Sequence, residues 1–270
     1  MPGAVVRLDR VGFAYGPRAP AVVEGVSFTA PAGAVTALVG RSGSGKSSLL
    51  HLIAGLARPT AGQIAIDGAP VAGPSRRVVM MFQSPSLYPW LRVAENVALG
   101  LRFAGTPRAE AARRVAEALA LVGLHAEATR PATALSGGQA QRAALARAQV
   151  MLPEVLLLDE PFAALDLFTR LDLQRDVRAI AQRLGITVLL VSHDVAEIAR
   201  MADHARFLAG SPGRIVAETD VSAAARRTDD AAARAEIARL TALYEHSCLA
   251  PRGGGAAGPP PPARVPAFAQ

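Results

Sequence analysis

The sequence predicts an α/β protein in which helices cover both faces of a parallel sheet, with an antiparallel β region before it and a helical segment within it. Three observations lead to this fold class. Strand-like apolar runs alternate with helical periods in the second half of the chain, a glycine-rich loop joins a buried strand to a helix, and a long middle stretch has helical spacing alone.

The N-terminal part of the chain is rich in strand signals. Residues 5–33 alternate apolar and polar side chains, many of them β-branched, which predicts antiparallel strands. AVTALVG at 34–40 is a continuous apolar run ending in glycine, typical of a buried parallel strand, and KSSLLHLIAGL at 46–56 has helical spacing. GQIAIDG at 62–68 and VVMMFQ at 78–83 predict two short strands.

The middle of the chain, from Pro85 to about Thr133, is helical in pattern, and its clearest amphipathic stretch is 109–124. We therefore expect an α-helical subdomain at about 84–137. The remaining elements are predicted in this order: a helix from Gly138 to about Met151, a strand at 155–159, a helix at 167–184, a strand at 187–192, a helix after His193, two closing strands in ARFLAG and GRIVAE, and one or two helices at 222–246.

These elements predict one main domain at 1–225, a C-terminal helical extension at 226–250 and a tail at 251–270. The tail is dense in Gly and Pro without a collagen period, so it is expected to be disordered.

Composition narrows the location and the partners. No apolar run reaches the roughly 18 residues of a membrane span, and charges interrupt the N-terminus where an export signal needs an apolar core. The single cysteine, Cys248, agrees with a reducing compartment. The net charge is +7, but the basic residues are scattered and aromatics are only 4%. We expect a cytoplasmic protein with a solvated basic surface and no nucleic-acid partner.

A phosphate-binding loop is the first chemical motif. Residues 40–47, GRSGSGKS, fit the pattern G-x-x-x-x-G-K-[ST] between a predicted strand and helix, which indicates a P-loop NTPase-like sheet core. Glycines let backbone N–H groups turn toward phosphates, and the following helix points its N-terminal dipole at them. The predicted nucleotide contacts are Gly40, Ser42, Gly43, Ser44, Gly45, Lys46, Ser47 and Ser48, with Ser47 also binding Mg²⁺.

Lysine usage supports this interpretation. Lys46 is the only lysine, so 29 − 1 = 28 of the basic residues are arginine. An ammonium group and a planar five-donor guanidinium are not interchangeable in a tight site. We therefore expect Lys46 to hold the β- and γ-phosphates.

Two adjacent carboxylates end an apolar strand. In VLLLDE, Asp159 and Glu160 close the run that starts at Val155, at the strand end where ligands gather in such sheets. Adjacent residues point in different directions, so Asp159 can face Mg²⁺ while Glu160 accepts a proton from the attacking water.

Leu135–Gln139, LSGGQ, add the most specific signal. With the phosphate loop and LLLDEP they resemble the signature sequence of the ABC ATPase family, and the resemblance runs from about residue 5 to 218. The remaining motifs are similar in order: Tyr15 in FAYG would stack on adenine, Gln83 in MFQ would touch Mg²⁺ and water, Asp166 in ALD follows the catalytic glutamate, and His193 in VSHD would contact the γ-phosphate.

The signature offers a hydroxyl and free N–H groups at the positive end of a helix, which predicts a second anion site. The resemblance implies that Ser136, Gly137, Gly138 and Gln139 meet ATP held by a second ATP-binding subunit, most simply an identical copy. It also implies membrane permease subunits as partners, a substrate-binding protein as an indirect one, and a peripheral place on the cytoplasmic face of the inner membrane.

Other members of the superfamily fit less well. A chromosome-maintenance ATPase needs a long coiled coil between Gln83 and Leu135, and that interval is 135 − 83 = 52 residues. A translation-factor ATPase carries two cassettes. An assembly-scaffold ATPase and an importer cassette for another small solute stay open as alternatives.

The segment FQSPSLYPWLRVAENVALGL, with the later SPGRIVAE, resembles the nitrate, sulfonate and taurine importer branch. We expect Leu87, Tyr88, Trp90 and Leu91 to line an apolar groove that receives a permease helix. The competing expectation is that these side chains are buried in the helical subdomain.

Overall fold

The structure is a computed structural model that describes residues 3–226 and 230–249. The predicted tail at 251–270 lies outside the described residues, as do residues 227–229 and 250 of the predicted extension. In chain order the elements are β1 (Val6–Ala14), β2 (Ala21–Ala30), β3 (Val35–Gly40), α1 (Lys46–Ile53), β4 (Ala61–Ile66), β5 (Ala69–Pro70), β6 (Val78–Met81), α2 (Val93–Phe103), α3 (Arg108–Leu121), α4 (Gly137–Gln149), β7 (Val155–Asp159), α5 (Leu167–Leu184), β8 (Thr187–Ser192), α6 (Val195–Met201), β9 (His204–Ala209), β10 (Arg214–Asp220) and α7 (Asp230–Tyr244).

Two sheets organise the fold. An antiparallel sheet has the order β2-β1-β4-β5, and a six-stranded sheet has the order β10-β9-β3-β8-β7-β6. In the larger sheet only the β9–β10 pair is antiparallel. The predicted fold class is confirmed, including the antiparallel N-terminal region, to which the strand in GQIAIDG belongs.

Both faces of the larger sheet are buried, as its continuous apolar strands predict. Along β7, Val155 and Leu157 pack into a cluster with α1 and the antiparallel sheet. Leu156 and Leu158 pack into a second cluster that includes residues of α2, α3, α4 and α5. Successive side chains of a strand point to opposite faces, so this sheet is covered on both sides. Among the described residues, no helix is both long and apolar enough to cross a membrane.

The prediction of helix from Pro85 onward is wrong at its start, because residues 84–91 form a loop before α2 begins at Val93. Pro85 and Pro89 lack a backbone N–H and restrict the residues before them, which disfavours a helix here. The fully buried Asn96 holds the loop: its Oδ1 accepts from the Tyr88 N–H at 2.7 Å and its Nδ2 donates to the Tyr88 carbonyl at 3.1 Å.

Helices α2 and α3 lie within the predicted helical subdomain, whereas α4 begins at its predicted end and extends beyond it. α2 packs against both α3 and α4. Beyond the sheet, α7 packs against α6, and a π-helical turn at Glu245–Leu249 follows it. The division of the chain at residues 225 and 250 stays a prediction.

Candidate functional site

Four parallel strands end at one edge of the larger sheet, and most predicted site residues follow those ends. The register pairs Met81 with Leu158, Asp159 with Val191, and Val39 with Ser192. The chain leaves this edge from β3 into the phosphate loop, from β6 toward Gln83, from β7 into Glu160 and from β8 into His193. Ligands of open α/β sheets bind outside such carboxyl ends.

Lys46 begins α1 and is only 5% exposed. Its Nζ donates to the carbonyls of Gly40 and Arg41, both at 2.8 Å, and lies 3.5 Å from Ser44 Oγ. Burial lowers the pKa of Lys46, while Glu160 and Asp159 oppose that shift. The loop therefore holds the Lys46 ammonium group at its centre, and its predicted contact with the phosphates stays a prediction.

The loop depends on glycine for its shape. Gly43 and Gly45 have φ of 80° and 89°, a left-handed conformation that other residues rarely adopt. A Cβ on Gly40 would lie 2.4 Å from the Leu208 carbonyl oxygen on β9. Gly45 also precedes α1 without a side-chain cap, which leaves the helix N-terminus open toward the loop.

Ser47 and Asp159 form an oxygen pair beside the loop. Ser47 Oγ donates to Asp159 Oδ1 at 2.9 Å. Burial raises the pKa of Asp159, and the bond from Ser47 opposes that rise. A hydroxyl and one carboxylate fit Mg²⁺, which takes few protein ligands and completes its shell with phosphates and water. No cluster of three or more acidic, His or Cys ligands occurs in the described parts of the chain.

Glu160 and His193 stand next to each other. His193 Nδ1 lies 3.4 Å from Glu160 Oε1, and the His193 side chain is 63% exposed. Glu160 has φ of 46°, and its N–H donates to the Val191 carbonyl at 3.1 Å. A left-handed non-glycine residue costs about 1–3 kcal/mol and persists only where its surroundings hold it. The two adjacent carboxylates thus have different partners, Ser47 for Asp159 and His193 for Glu160.

Tyr15 and Gln83 lie at the margins of the candidate nucleotide site. The Tyr15 hydroxyl is 3.0 Å from Ser48 Oγ on α1, its ring meets Phe13 edge-on at 4.8 Å, and the residue is 70% exposed. An exposed ring anchored to the phosphate-loop helix suits a base that stacks. Gln83 is exposed two residues beyond β6. Both assignments stay predictions.

The signature residues form a separate cluster at the start of α4. Gln139 N donates to Ser136 Oγ at 3.3 Å, and Ser136 N donates to Gln139 Oε1 at 3.1 Å, which completes a capping box. A Cβ on Gly138 would lie 2.4 Å from Thr169 Cγ2, whereas Gly137 faces open space. In the described part of the chain, no hydrogen bond joins these residues to the phosphate loop.

Asp166 has a local structural role. It caps the N-terminus of α5 by accepting from the Thr169 N–H at 3.1 Å, and its pKa is lowered by hydrogen bonds from Thr169. The structure does not bring Asp166 to the phosphate loop by any contact among the described residues. Its predicted contact with nucleotide stays a prediction.

Sequence reasoning missed three side chains around the site. Arg147 on α4 donates to the carbonyls of Pro85 and Ser86, both at 2.7 Å, and so ties the signature helix to the loop after Gln83. Gln141 donates to the Pro161 carbonyl beside Glu160. Glu197 is only 5% exposed. Each resembles ordinary helix-surface chemistry in sequence, and only the packing distinguishes it.

This arrangement defines a class: an α/β protein that binds nucleoside triphosphate through a phosphate loop at the edge of its sheet. A family model described as ABC transporter matches residues 23–163. The chain belongs to the ABC transporter family, as the sequence predicted.

Curated relatives extend the match over most of the chain. The chain is 41% identical over 232 residues to the taurine import ATP-binding protein TauB of Pseudomonas entomophila (strain L48). The aligned region covers 86% of this chain and 90% of that protein. It is 44% identical over 216 residues to the aliphatic sulfonates import ATP-binding protein SsuB 1 of Xanthomonas axonopodis pv. citri (strain 306). That alignment covers 80% of this chain and 85% of SsuB 1.

Solved structures share the fold. CbiO1 of Clostridium perfringens, part of the ABC transporter complex cbiONQ, superposes with a TM-score of 0.76 at 26% identity over 89% of this chain and 95% of that chain. The ATP-binding cassette MJ0796 was solved as a dimer in a post-hydrolysis state bound to ADP and phosphate. It superposes with a TM-score of 0.70 at 30% identity, over 80% of this chain and 99% of that chain.

Proposed function

We propose that this chain is the ATP-binding and ATP-hydrolysing subunit that energises a membrane importer for a small anion such as nitrate, a sulfonate or taurine. The observation that carries the proposal is the convergence of Lys46, the Ser47–Asp159 pair and the Glu160–His193 pair at one sheet edge. The relatives named as taurine and sulfonate import subunits support the choice of cargo.

The geometry supports hydrolysis by an activated water. Lys46 holds the β- and γ-phosphates, and Glu160 accepts a proton from the water as its oxygen attacks the γ-phosphorus. The bond to the bridging oxygen breaks, leaving ADP and phosphate. His193, within 3.4 Å of Glu160, contacts the γ-phosphate beside that carboxylate. When Mg²⁺ is bound, Ser47, Asp159 and Gln83 hold it, and it supplies positive charge to the phosphate oxygens.

The signature cluster supports a second copy as partner. The N-terminus of α4 is exposed, and the Ser136 hydroxyl can donate its proton to an anion while its oxygen accepts from Gln139. In a head-to-tail pair, Ser136–Gln139 and Asp166 of one cassette face ATP in the phosphate loop of the other. Two ATP molecules then hold the pair closed until hydrolysis opens it.

The loop after Gln83 supports a permease contact. Trp90 is 75% exposed and Tyr88 43%, with their rings 5.3 Å apart, and Leu87 and Leu91 in the same loop are half-buried. The competing expectation of a buried Trp90 does not match this exposure. Exposed aromatics beside apolar side chains suit an amphipathic helix. The cassette then lies peripherally on the cytoplasmic face, and the substrate-binding protein acts on it only through the permease.

A substitution of Glu160 tests the hydrolytic assignment. Glu160→Gln keeps the shape of the side chain but cannot accept the proton, so Mg-ATP should bind and turnover should fall by about 100-fold or more. Size-exclusion chromatography with Mg-ATP should then detect a stable dimer. Unchanged ATPase activity, or a strict monomer while wild-type hydrolysis is intact, would contradict the proposal.

A substitution of Trp90 tests the transport assignment. In proteoliposomes holding the permease, Trp90→Ala should retain soluble ATPase activity and lose most uptake of radiolabelled taurine or sulfonate. Phe103→Ala, which removes another exposed aromatic residue, is the matched control. Wild-type ATPase activity without any ATP-dependent uptake of these anions would favour a different cargo or the assembly-scaffold alternative.

A further inference from the structure

A small polar cleft lies directly behind the Glu160–His193 pair. Its volume is about 70 Å³, and its walls include Glu160, His193, Arg170 and Glu197. The cleft is polar and larger than the minimum that a water molecule requires, so it satisfies the conditions for ordered water. Glu197, on the first turn of α6, is the most buried carboxylate of this group, with 5% exposure.

Two buried polar atoms of the cleft side chains lack hydrogen-bond partners. They are Glu197 Oε1 and Arg170 Nε, each with almost no accessible surface. Unpaired buried polar atoms are costly, and a water that bridges them removes the cost. Arg170 is already engaged through Nη2, which donates to the Leu165 carbonyl at 2.9 Å. Its free Nε–H therefore suits a bound water better than a second protein contact.

The charges around Glu197 favour its neutral form. The pKa of Glu197 is raised to about 8, mainly by burial and further by Asp194 and Glu160, while a hydrogen bond with Ser192 and the charge of Arg170 oppose the rise. His193 also lines the cleft, and Arg170 Nη1 lies 3.7 Å from Asp194 Oδ2. A protonated Glu197 is a hydrogen-bond donor beside the cleft, whereas an ionised one is only an acceptor.

We infer that Glu197 is a positioning residue for ATP hydrolysis, holding a cleft water that in turn orients Glu160. The water accepts from Arg170 Nε–H and from the Glu197 carboxylic acid, so both of its own hydrogens are free. One of them is donated to the Glu160 carboxylate, which fixes the direction of the remaining oxygen lone pairs. The inference rests on the proposed role of Glu160 in hydrolysis.

Ionisation of Glu197 reverses this arrangement. The carboxylate then accepts a hydrogen from the cleft water and competes with Glu160 for it. Turnover should therefore decline as the pH rises through about 8, while ATP binding, which depends on the phosphate loop, should change little.

The test compares turnover and KM for ATP in the full-length protein between pH 6 and 9.5. Glu197→Gln keeps an NH₂ donor without titrating, so turnover at pH 7 should stay within about threefold of wild type and the alkaline decline should disappear. Glu197→Leu removes the donor, so turnover should fall by about 10-fold or more with KM within about twofold. Gln174→Leu, at a residue 3% exposed whose side-chain amide has no partner, is the matched control for burial.

The outcomes separate this inference from the proposed function. If Glu160→Gln abolishes turnover while Glu197→Leu behaves like Gln174→Leu, the cleft role is wrong and the hydrolytic assignment stands. If Glu160→Gln hydrolyses ATP normally, both fall. Should Glu197→Leu fail to fold, the pH profile of Glu197→Gln decides alone, because an alkaline decline identical to that of wild type overturns the inference.

Discussion

Two helices of this protein begin at predicted phosphate-binding sites, and their N-termini are built differently. α1 starts after the left-handed Gly45 with no side-chain cap, and Lys46 already stands in the loop. α4 starts after Ser136 with a complete capping box from Gln139. The uncapped N-terminus of α1 offers all its free N–H groups to a ligand, whereas the capping box of α4 already occupies the Gln139 N–H and leaves fewer of them free. The phosphate loop is thus built as an anion site within one chain, whereas the exposed signature would, on the proposed function, complete the site of a second copy.

The largest effect is expected at the phosphate loop. Lys46→Arg should reduce ATPase activity about as much as Lys46→Ala, by about 100-fold or more, because a planar guanidinium does not fit where Nζ meets two carbonyls at 2.8 Å. Steady-state phosphate release measures the effect. Arg175→Lys, at an exposed ion pair with Asp172, should leave activity unchanged. An arginine variant within a few-fold of wild type would refute the argument from lysine usage.

Two substitutions of Ser136 separate its role as the N-cap of α4 from its predicted role as a phosphate contact. Ser136→Asp keeps the N-cap because Asp caps as well as Ser, but it directs a negative charge toward an incoming phosphate. In a Glu160→Gln background, we expect a wild-type melting temperature and no ATP-driven dimer by size-exclusion chromatography. Ser136→Ala should instead lower the free energy of unfolding by about 1 kcal/mol. If the Ser136→Asp variant still formed an ATP-driven dimer, Ser136 would act only as the cap of α4 and would not contact a phosphate.

Adjacent signature glycines should differ in stability. Gly138→Ala places a Cβ 2.4 Å from Thr169 Cγ2, so we expect a loss of about 1–2 kcal/mol in chemical unfolding. Gly137→Ala meets no atom within 4 Å and should be neutral or slightly stabilising, since Ala favours helix. Thr169→Ser removes the methyl group alone and should rescue Gly138→Ala. Equal effects of the two alanines would mean that the contact with α5 does not hold Gly138.

The sequence was sufficient to predict those parts of the protein whose conformation depends on neighbouring residues in the chain. The phosphate loop could be predicted because its left-handed backbone at Gly43 and Gly45 requires glycine. Strand β7 could be predicted because a strand that is buried on both faces is continuously apolar. The alternation of strands and helices then predicted the parallel sheet, which the structure confirms.

What the sequence did not predict depends on contacts between distant segments. The helical pattern after Pro85 concealed a loop that is held by Asn96 and by Arg147 from another helix. Glu197 is buried in a cleft whose walls include Glu160 after β7 and Arg170 of α5, segments distant from it in sequence. No local pattern distinguishes a buried carboxylate from an exposed one, so the cleft behind Glu160 required the structure.

The smallest effect concerns Tyr15, at the open margin of the phosphate loop. Tyr15→Phe removes the hydroxyl 3.0 Å from Ser48 Oγ but keeps the ring and its edge contact with Phe13. This partly buried hydrogen bond joins two protein hydroxyls and not the nucleotide, so KM for ATP should change by no more than about twofold. Tyr15→Ala removes the stacking surface, which is worth about 1–3 kcal/mol for a base on an aromatic ring, so KM should rise by about 10-fold or more.

The two variants separate stacking from anchoring. Turnover at saturating ATP should be unchanged in both, because Tyr15 touches neither Glu160 nor His193 among the described contacts. If Tyr15→Phe raises KM as much as Tyr15→Ala, the hydroxyl bond to α1 is what matters. Tyr15 would then act by fixing the helix that follows the loop, and the aromatic ring would have no part in holding adenine.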